Sequence, residues 1–88
     1  MASFKLVLKP SVEKDLRSVP KSTLQRIMTR IEALAEDPFP RQSAKLTGVE
    51  RLYRLRVGDY RIVYGVHSEE RTIIVHYVRH RREAYRGV

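Results

Sequence analysis

Cysteine is missing from this 88-residue chain. Disulfides, thiolate metal sites and cysteine nucleophiles are therefore excluded. The absence is compatible with a reducing compartment without demonstrating one. No stretch approaches the ~18 consecutive apolar residues that a membrane span needs. The apolar segment Phe4 to Leu8 is too short for a secretory signal; Lys5 interrupts it and Lys9-Pro10 ends it. A soluble cytoplasmic protein is expected, with no membrane partner. There is no P-loop, dinucleotide fingerprint or serine-hydrolase elbow. The histidines His67, His76 and His80 are too scattered to read as a metal site, so no metal and no cofactor is expected. Acidic residues are also scarce. Ten Asp and Glu stand against 18 Lys and Arg, a formal net charge of +8. Such an excess fits a polyanion partner, nucleic acid first and an acidic protein second.

What is present suits a small folded unit. A hydrophobic fraction of 42% argues against disorder. The length supports one domain, residues 1–88, with a single modest core. Phe4 to Leu8 reads as a first strand. Pro10 and Ser11 suit the start of a short helix with Val12, Leu16 and Val19 at helical spacing, capped by either Lys9 or Ser11. Pro20 breaks that pattern. A second helix is expected from Lys21 to Glu36, where Leu24, Ile27, Met28, Ile31, Leu34 and Ala35 form an apolar stripe. Arg26, Thr29, Arg30 and Glu32 fall largely outside it, on the solvated side. Asp37-Pro38 stops the helix. Phe39 to Glu50 has no clear period and reads as a long basic loop. Thr72 to Val78 is a β-branched run fit for a buried strand, followed by a basic tail from Arg79 to Arg86.

Between loop and last strand lies the most telling segment, Arg51 to Val66, RLYRLRVGDYRIVYGV. It reads as a β-hairpin turning at Gly58-Asp59, with glycine first as a type II′ turn requires. Side chains alternate faces along a strand. That places Val57 opposite Tyr60, Arg56 opposite Arg61 and Arg54 opposite Val63. Tyr53, Leu55, Val57, Tyr60, Ile62 and Tyr64 then share one face, which can cover the helices, while the arginines share the other. A one-residue slip would scramble both sets. Like charges facing across a ladder destabilise it, so Arg54, Arg56 and Arg61 held together suggest an anionic ligand.

In this order and spacing, several segments together resemble the RelE/ParE superfamily of toxins from bacterial and archaeal toxin–antitoxin systems. They are the opening strand and helical hairpin, the Asp37-Pro38 stop, Lys45-Leu46, Leu52-Tyr53-Arg54-Leu55-Arg56, Tyr60-Arg61-Ile62-Val63-Tyr64 and His80-Arg81-Arg82-Glu83-Ala84-Tyr85. The resemblance covers nearly the whole chain. It implies an α+β fold of microbial-RNase type, an antiparallel sheet packed against an N-terminal helical hairpin. In the RelE branch it implies a metal-independent endonuclease that cuts mRNA in the ribosomal A site. In the ParE branch it implies an inhibitor of DNA gyrase. Either branch implies an acidic, RelB-like antitoxin partner in a hetero-oligomeric complex. The RelE positions carried over are Arg54, Arg56, Arg61, Arg81 and Tyr85 as catalytic candidates, with Lys45 as a further basic candidate; beside Lys45, His80 and Arg82 are read as candidate RNA contacts. Retention of these basic positions favours RNA cleavage, with the ribosome and mRNA as further partners. Arginine stands at Arg54 and Arg56 where family members can carry lysine.

Metal-free RNA cleavage needs a base at the 2′-OH, cations around the phosphate and an acid at the departing 5′-oxygen. Arginine forks suit the second task because they bind phosphate oxygens bidentately and stay charged. Arg56 and Arg61 are the best pair for it, with Arg54 orienting the backbone and Arg81 at the leaving oxygen. The general base is open, since an arginine releases its proton only with difficulty. His80 either transfers protons or simply begins a surface helix. Tyr85 either stacks on a base, bonds a phosphate or packs the tail onto the sheet. Arg79 and Arg86 read as a solvated basic rim with Arg82, and His76 as structural.

Overall fold

A computed structural model describes residues 3–48 and 50–82. Pro10 opens α1 (Pro10–Arg17), where its fixed φ and missing N–H cost nothing in the first turn. Lys9 is the cap residue and acts through backbone alone, its carbonyl accepting the Val12 N–H at 2.8 Å. Pro20 separates this helix from α2 (Lys21–Leu34), and its carbonyl accepts the Leu24 N–H at 2.8 Å. On α2 the apolar stripe is buried as its spacing predicts, with Ile27, Ile31 and Leu34 inside and Leu24 and Met28 packed beside them. The helix stops two residues short of Glu36 because the Ala35 and Glu36 N–H groups turn back to Glu32 and Ala33, tightening the last turn.

Five strands form one sheet: β1 (Lys5–Leu8), β2 (Ser43–Lys45), β3 (Leu52–Val57), β4 (Tyr60–His67) and β5 (Thr72–His80). Their spatial order is β1-β5-β4-β3-β2. The α+β expectation holds, but the sheet is mixed rather than purely antiparallel, because β1 runs parallel to β5. The chain leaves β1 into the two helices and re-enters at the far edge. Three antiparallel steps then bring β5 back beside β1. The short strand β2 lies inside the stretch expected to be loop. Three residues are too few to show a period, and their pairing with β3 creates the strand.

Both helices cover one face of the sheet. Val12, Val19, Ile27, Ile31 and Leu34 meet Leu55, Val57, Ile62, Tyr64, Val66, Ile73, Val75 and Val78 in one core. Tyr64 is fully buried, and its hydroxyl donates to the Pro38 carbonyl at 2.8 Å. Burial pushes its pKa above the ordinary tyrosine value. Helix α1 also closes an edge. β1 pairs only Thr72 to Val75 of β5, leaving the second half of that strand without a strand neighbour on this side. There the Asp15 carboxylate accepts the Val78 N–H at 3.0 Å and the Ser11 hydroxyl donates to the His76 carbonyl at 3.4 Å. These side chains do the work of a missing ladder.

Candidate nucleic-acid interface

The hairpin has the register that alternation dictates: Val57 opposite Tyr60, Arg56 opposite Arg61, Arg54 opposite Val63. Gly58 has φ +59° and Asp59 has no positive φ, which fits the type II′ turn and excludes type I′. Leu55, Val57 and Ile62 point into the core, so Arg54, Arg56 and Arg61 emerge on the face away from the helices.

A fourth arginine joins them from β5. Between Val63/Tyr64 and Tyr77/Val75 the pairing slips by one residue, and His76 is the extra residue of a β-bulge. Ile73 and Val75 face the core before the bulge; Val78 and His80 lie on that side after it. Arg79 is thereby turned to the outer face, directly across from Arg61. Arg56, Arg61 and Arg79 form a row across three strands, with Arg54, Val63 and Tyr77 in the row beside it. The Arg79 guanidinium lies 4.1 Å above the Tyr77 ring, a cation–π contact that holds it flat along the sheet. Simple alternation through β5 cannot find Arg79. The signal in the sequence is the broken period Ile73, Val75, Val78, in which one spacing is three instead of two.

Arg81 completes the cluster. Its N–H donates to the Asp59 carbonyl at 2.7 Å, fixing the end of β5 to the hairpin turn. Arg56, Arg61 and Arg81 line one cleft of about 70 Å³ together with the turn. Among the described residues no carboxylate forms an ion pair with Arg54, Arg56, Arg61 or Arg81. The result is a concentrated positive field, three guanidinium groups against the one carboxylate of Asp59 in the lining, and its forks match phosphate oxygens.

Three other sequence candidates lie apart from this cleft. Lys45 pairs with Tyr53 and so sits on the helix side, lining a separate cavity with Phe39, Arg51 and Tyr53. His80 pairs with Tyr60, also on the helix side, and its ring meets Tyr60 edge-on with centroids 5.2 Å apart. Arg82 is exposed just beyond, its N–H donating to His80 Nδ1 at 3.3 Å. Tyr85 lies outside the described residues. On the outer face, at the bulge itself, the pKa of His76 is depressed by burial and then by the nearby charges of Lys9 and His67. Its Nε2 and that of His67 crowd Gly65, where an added Cβ would stand 3.2 Å from one and 3.3 Å from the other. No cluster of His, Cys, Asp and Glu able to hold a metal ion exists among the described residues.

Known proteins share both sequence and fold. A family model for the ParE toxin of the type II toxin–antitoxin system parDE matches residues 6–85. The protein RelE1 of Methanocaldococcus jannaschii is 33% identical over 87 residues, covering 96% of this chain and 97% of the relative. The RelE–RelB complex of Pyrococcus horikoshii contains a chain that superposes with a TM-score of 0.81 at 31% identity, over 90% of this chain and 96% of that one. The RelB–RelE complex of Methanococcus jannaschii gives 0.78 at 30% identity, over 92% and 96%. Isolated E. coli RelE has the same fold, with a TM-score of 0.78 at 20% identity, over 97% and 98%.

Proposed function

The chain belongs to the RelE/ParE superfamily of toxins from type II toxin–antitoxin systems, and from that premise we propose that it is a ribosome-dependent mRNA endonuclease. The observation that carries the reading is the meeting of Arg56 and Arg61, paired across the hairpin, with Arg81 docked on the same turn. Cleavage is in-line attack of a 2′-oxygen on the adjacent phosphorus. The 2′-O–P bond forms, the P–5′-O bond breaks, and the products are a 2′,3′-cyclic phosphate and a 5′-hydroxyl. One proton leaves the 2′-OH and one reaches the 5′-oxygen. Arg56 and Arg61 hold the non-bridging oxygens as charge gathers there, the kind of stabilisation that often dominates catalysis. Arg81 faces the leaving oxygen and Arg54 orients the strand. His80, on the other side of the sheet, is not placed to act as base in this cleft. The ribosome enforces the in-line geometry and supplies groups for proton transfer.

Programmed ribosomes incubated with the protein test this reading. Wild type yields A-site cuts, and Arg61→Ala and Arg81→Ala do not. Equal cutting by all three removes the assignment. The family model named for ParE keeps a second reading in play, a gyrase inhibitor without nuclease activity. Inhibition of supercoiling without RNA cleavage selects it. Under either reading an acidic, RelB-like antitoxin is the partner in the cell, as the RelE relatives crystallised with RelB suggest.

A further inference from the structure

The solvated side of α2 carries Ser22, Gln25, Arg26, Thr29 and Arg30 at one-turn spacing, which stacks them along one ridge. That ridge faces the hairpin across a groove of about 430 Å³, and Arg56 forms part of the opposite wall. No carboxylate lines it. The guanidinium nitrogens of Arg26 lie 3.9 Å from the position a Cβ on Gly58 would take, so this arginine reaches the tip of the hairpin. Arg30 donates to Gln42 Oε1 at 3.2 Å, which fixes the group without neutralising it. Arg56 lines both this groove and the cleft with Arg61 and Arg81. A positive band thus runs from the outer sheet face, around the turn, onto α2.

We propose that the α2–hairpin groove is a second phosphate-binding cleft, which takes the flanking backbone of the same single-stranded RNA whose scissile phosphate sits between Arg56, Arg61 and Arg81. The identity of the strand rests on the nuclease reading; the cleft rests on the groove. Its chemistry favours a sugar–phosphate backbone over a protein segment. The walls offer arginine forks and neutral hydrogen-bonding groups, and Val57, a buried core residue, is the sole aliphatic side chain among the lining residues. A docked helix or strand would want apolar pockets for its anchors, whereas a strand of phosphates needs spaced cations.

The test is binding of uncleavable 2′-O-methyl RNA, measured by fluorescence anisotropy, with a trinucleotide and an oligomer of about ten nucleotides. Wild type binds the longer oligomer more tightly. The double variant Arg26→Gln/Arg30→Gln loses about tenfold on the longer oligomer and keeps its affinity for the trinucleotide. Its salt slope for the longer oligomer falls by about 1.4, if each arginine holds one phosphate of a single strand. Arg61→Gln weakens both lengths. Retained trinucleotide binding shows that the double variant is folded, and Arg26→Lys/Arg30→Lys recovers most of the loss. No gain with length in wild type overturns the proposal. So does an equal loss on both lengths, which marks a general field effect, or a loss confined to an acidic antitoxin peptide. Length-dependent binding without any ribosomal cleavage leaves the cleft standing and removes the nuclease reading instead.

Discussion

Arg79 on β5 stands directly across from Arg61 on β4, which itself stands directly across from Arg56 on β3. Three like charges in register are a cost to the sheet, since like charges directly opposite on a ladder destabilise it. An anion bound on this face would offset that cost.

Removing the middle charge therefore separates stability from activity. Arg61→Ala is expected to melt at a slightly higher temperature than wild type in low salt, and the gain should shrink as salt screens the row. The same variant should lose about 10²–10³-fold in cleavage rate, the usual effect of deleting one group that stabilises transition-state charge. A melting temperature that drops, with cleavage intact, would show the row to be structural.

Asp15 supplies a test of the strand edge. Its carboxylate is the acceptor for the Val78 N–H on the half of β5 that β1 does not reach. Asp15→Ala leaves that donor unpaired in a partly buried place and should cost about 1–3 kcal/mol. Hydrogen exchange at Val78 should accelerate more than at Val75, which lies in the stretch paired with β1. Uniform acceleration along β5 would show that Asp15 contributes only to global stability. Because the same strand end carries Arg79 and Arg81, cleavage should fall as well.

Much of this architecture could be read from residue order. The hairpin register followed from two alternating sets that agree in a single alignment, and the α2 stripe followed from its three- and four-residue spacing. What escaped depended on contacts between distant segments. The strand β2 exists through its pairing with β3, and its three residues carry no pattern of their own. Arg79 was hidden by the bulge at His76, because a single extra residue reverses which side every later side chain takes. The same phase change carries His80 to the helix side, away from the arginines beside it in sequence. Lys45 looked like another member of a basic cluster, yet its pairing with Tyr53 turns it to the opposite face. Arg26 and Arg30 read as an ordinary solvated helix face, since only the fold brings the hairpin tip up to them.

Tyr64 tests the link between the loop and the core. Its hydroxyl donates to the Pro38 carbonyl from a fully buried ring. Tyr64→Phe keeps the ring and strands the carbonyl, a loss of about 1–2 kcal/mol, read as a lower denaturation midpoint with an unchanged slope. The raised pKa fixes the sign of the pH response. The neutral phenol is favoured in the fold, so its contribution is complete below the unfolded value of ~10 and is lost as pH rises through the folded value. In Tyr64→Phe that part of the alkaline loss should disappear; an unchanged alkaline limb would assign it to other groups.

The opposite limb belongs to His76. Burial disfavours its imidazolium, and the charge of Lys9 and the neighbouring His67 add to the effect. Around it, the Arg51 Nη1 contacts His67 Nδ1 at 3.4 Å and the Ser11 hydroxyl meets the His76 carbonyl, so no described contact offers a carboxylate to compensate a proton. A histidine with a depressed folded pKa stabilises the fold above its unfolded value of ~6.5, and that stability is lost as pH falls through the folded value. For the whole protein, the unfolded chain then binds more protons than the folded one in that window. Stability should therefore drop with acidification through that window. His76→Gln keeps a polar side chain of similar reach and cannot titrate. Denaturation of the two proteins at several pH values below neutrality should give a flatter curve for the variant. Parallel curves would mean that protonation of His76 meets no penalty in the fold.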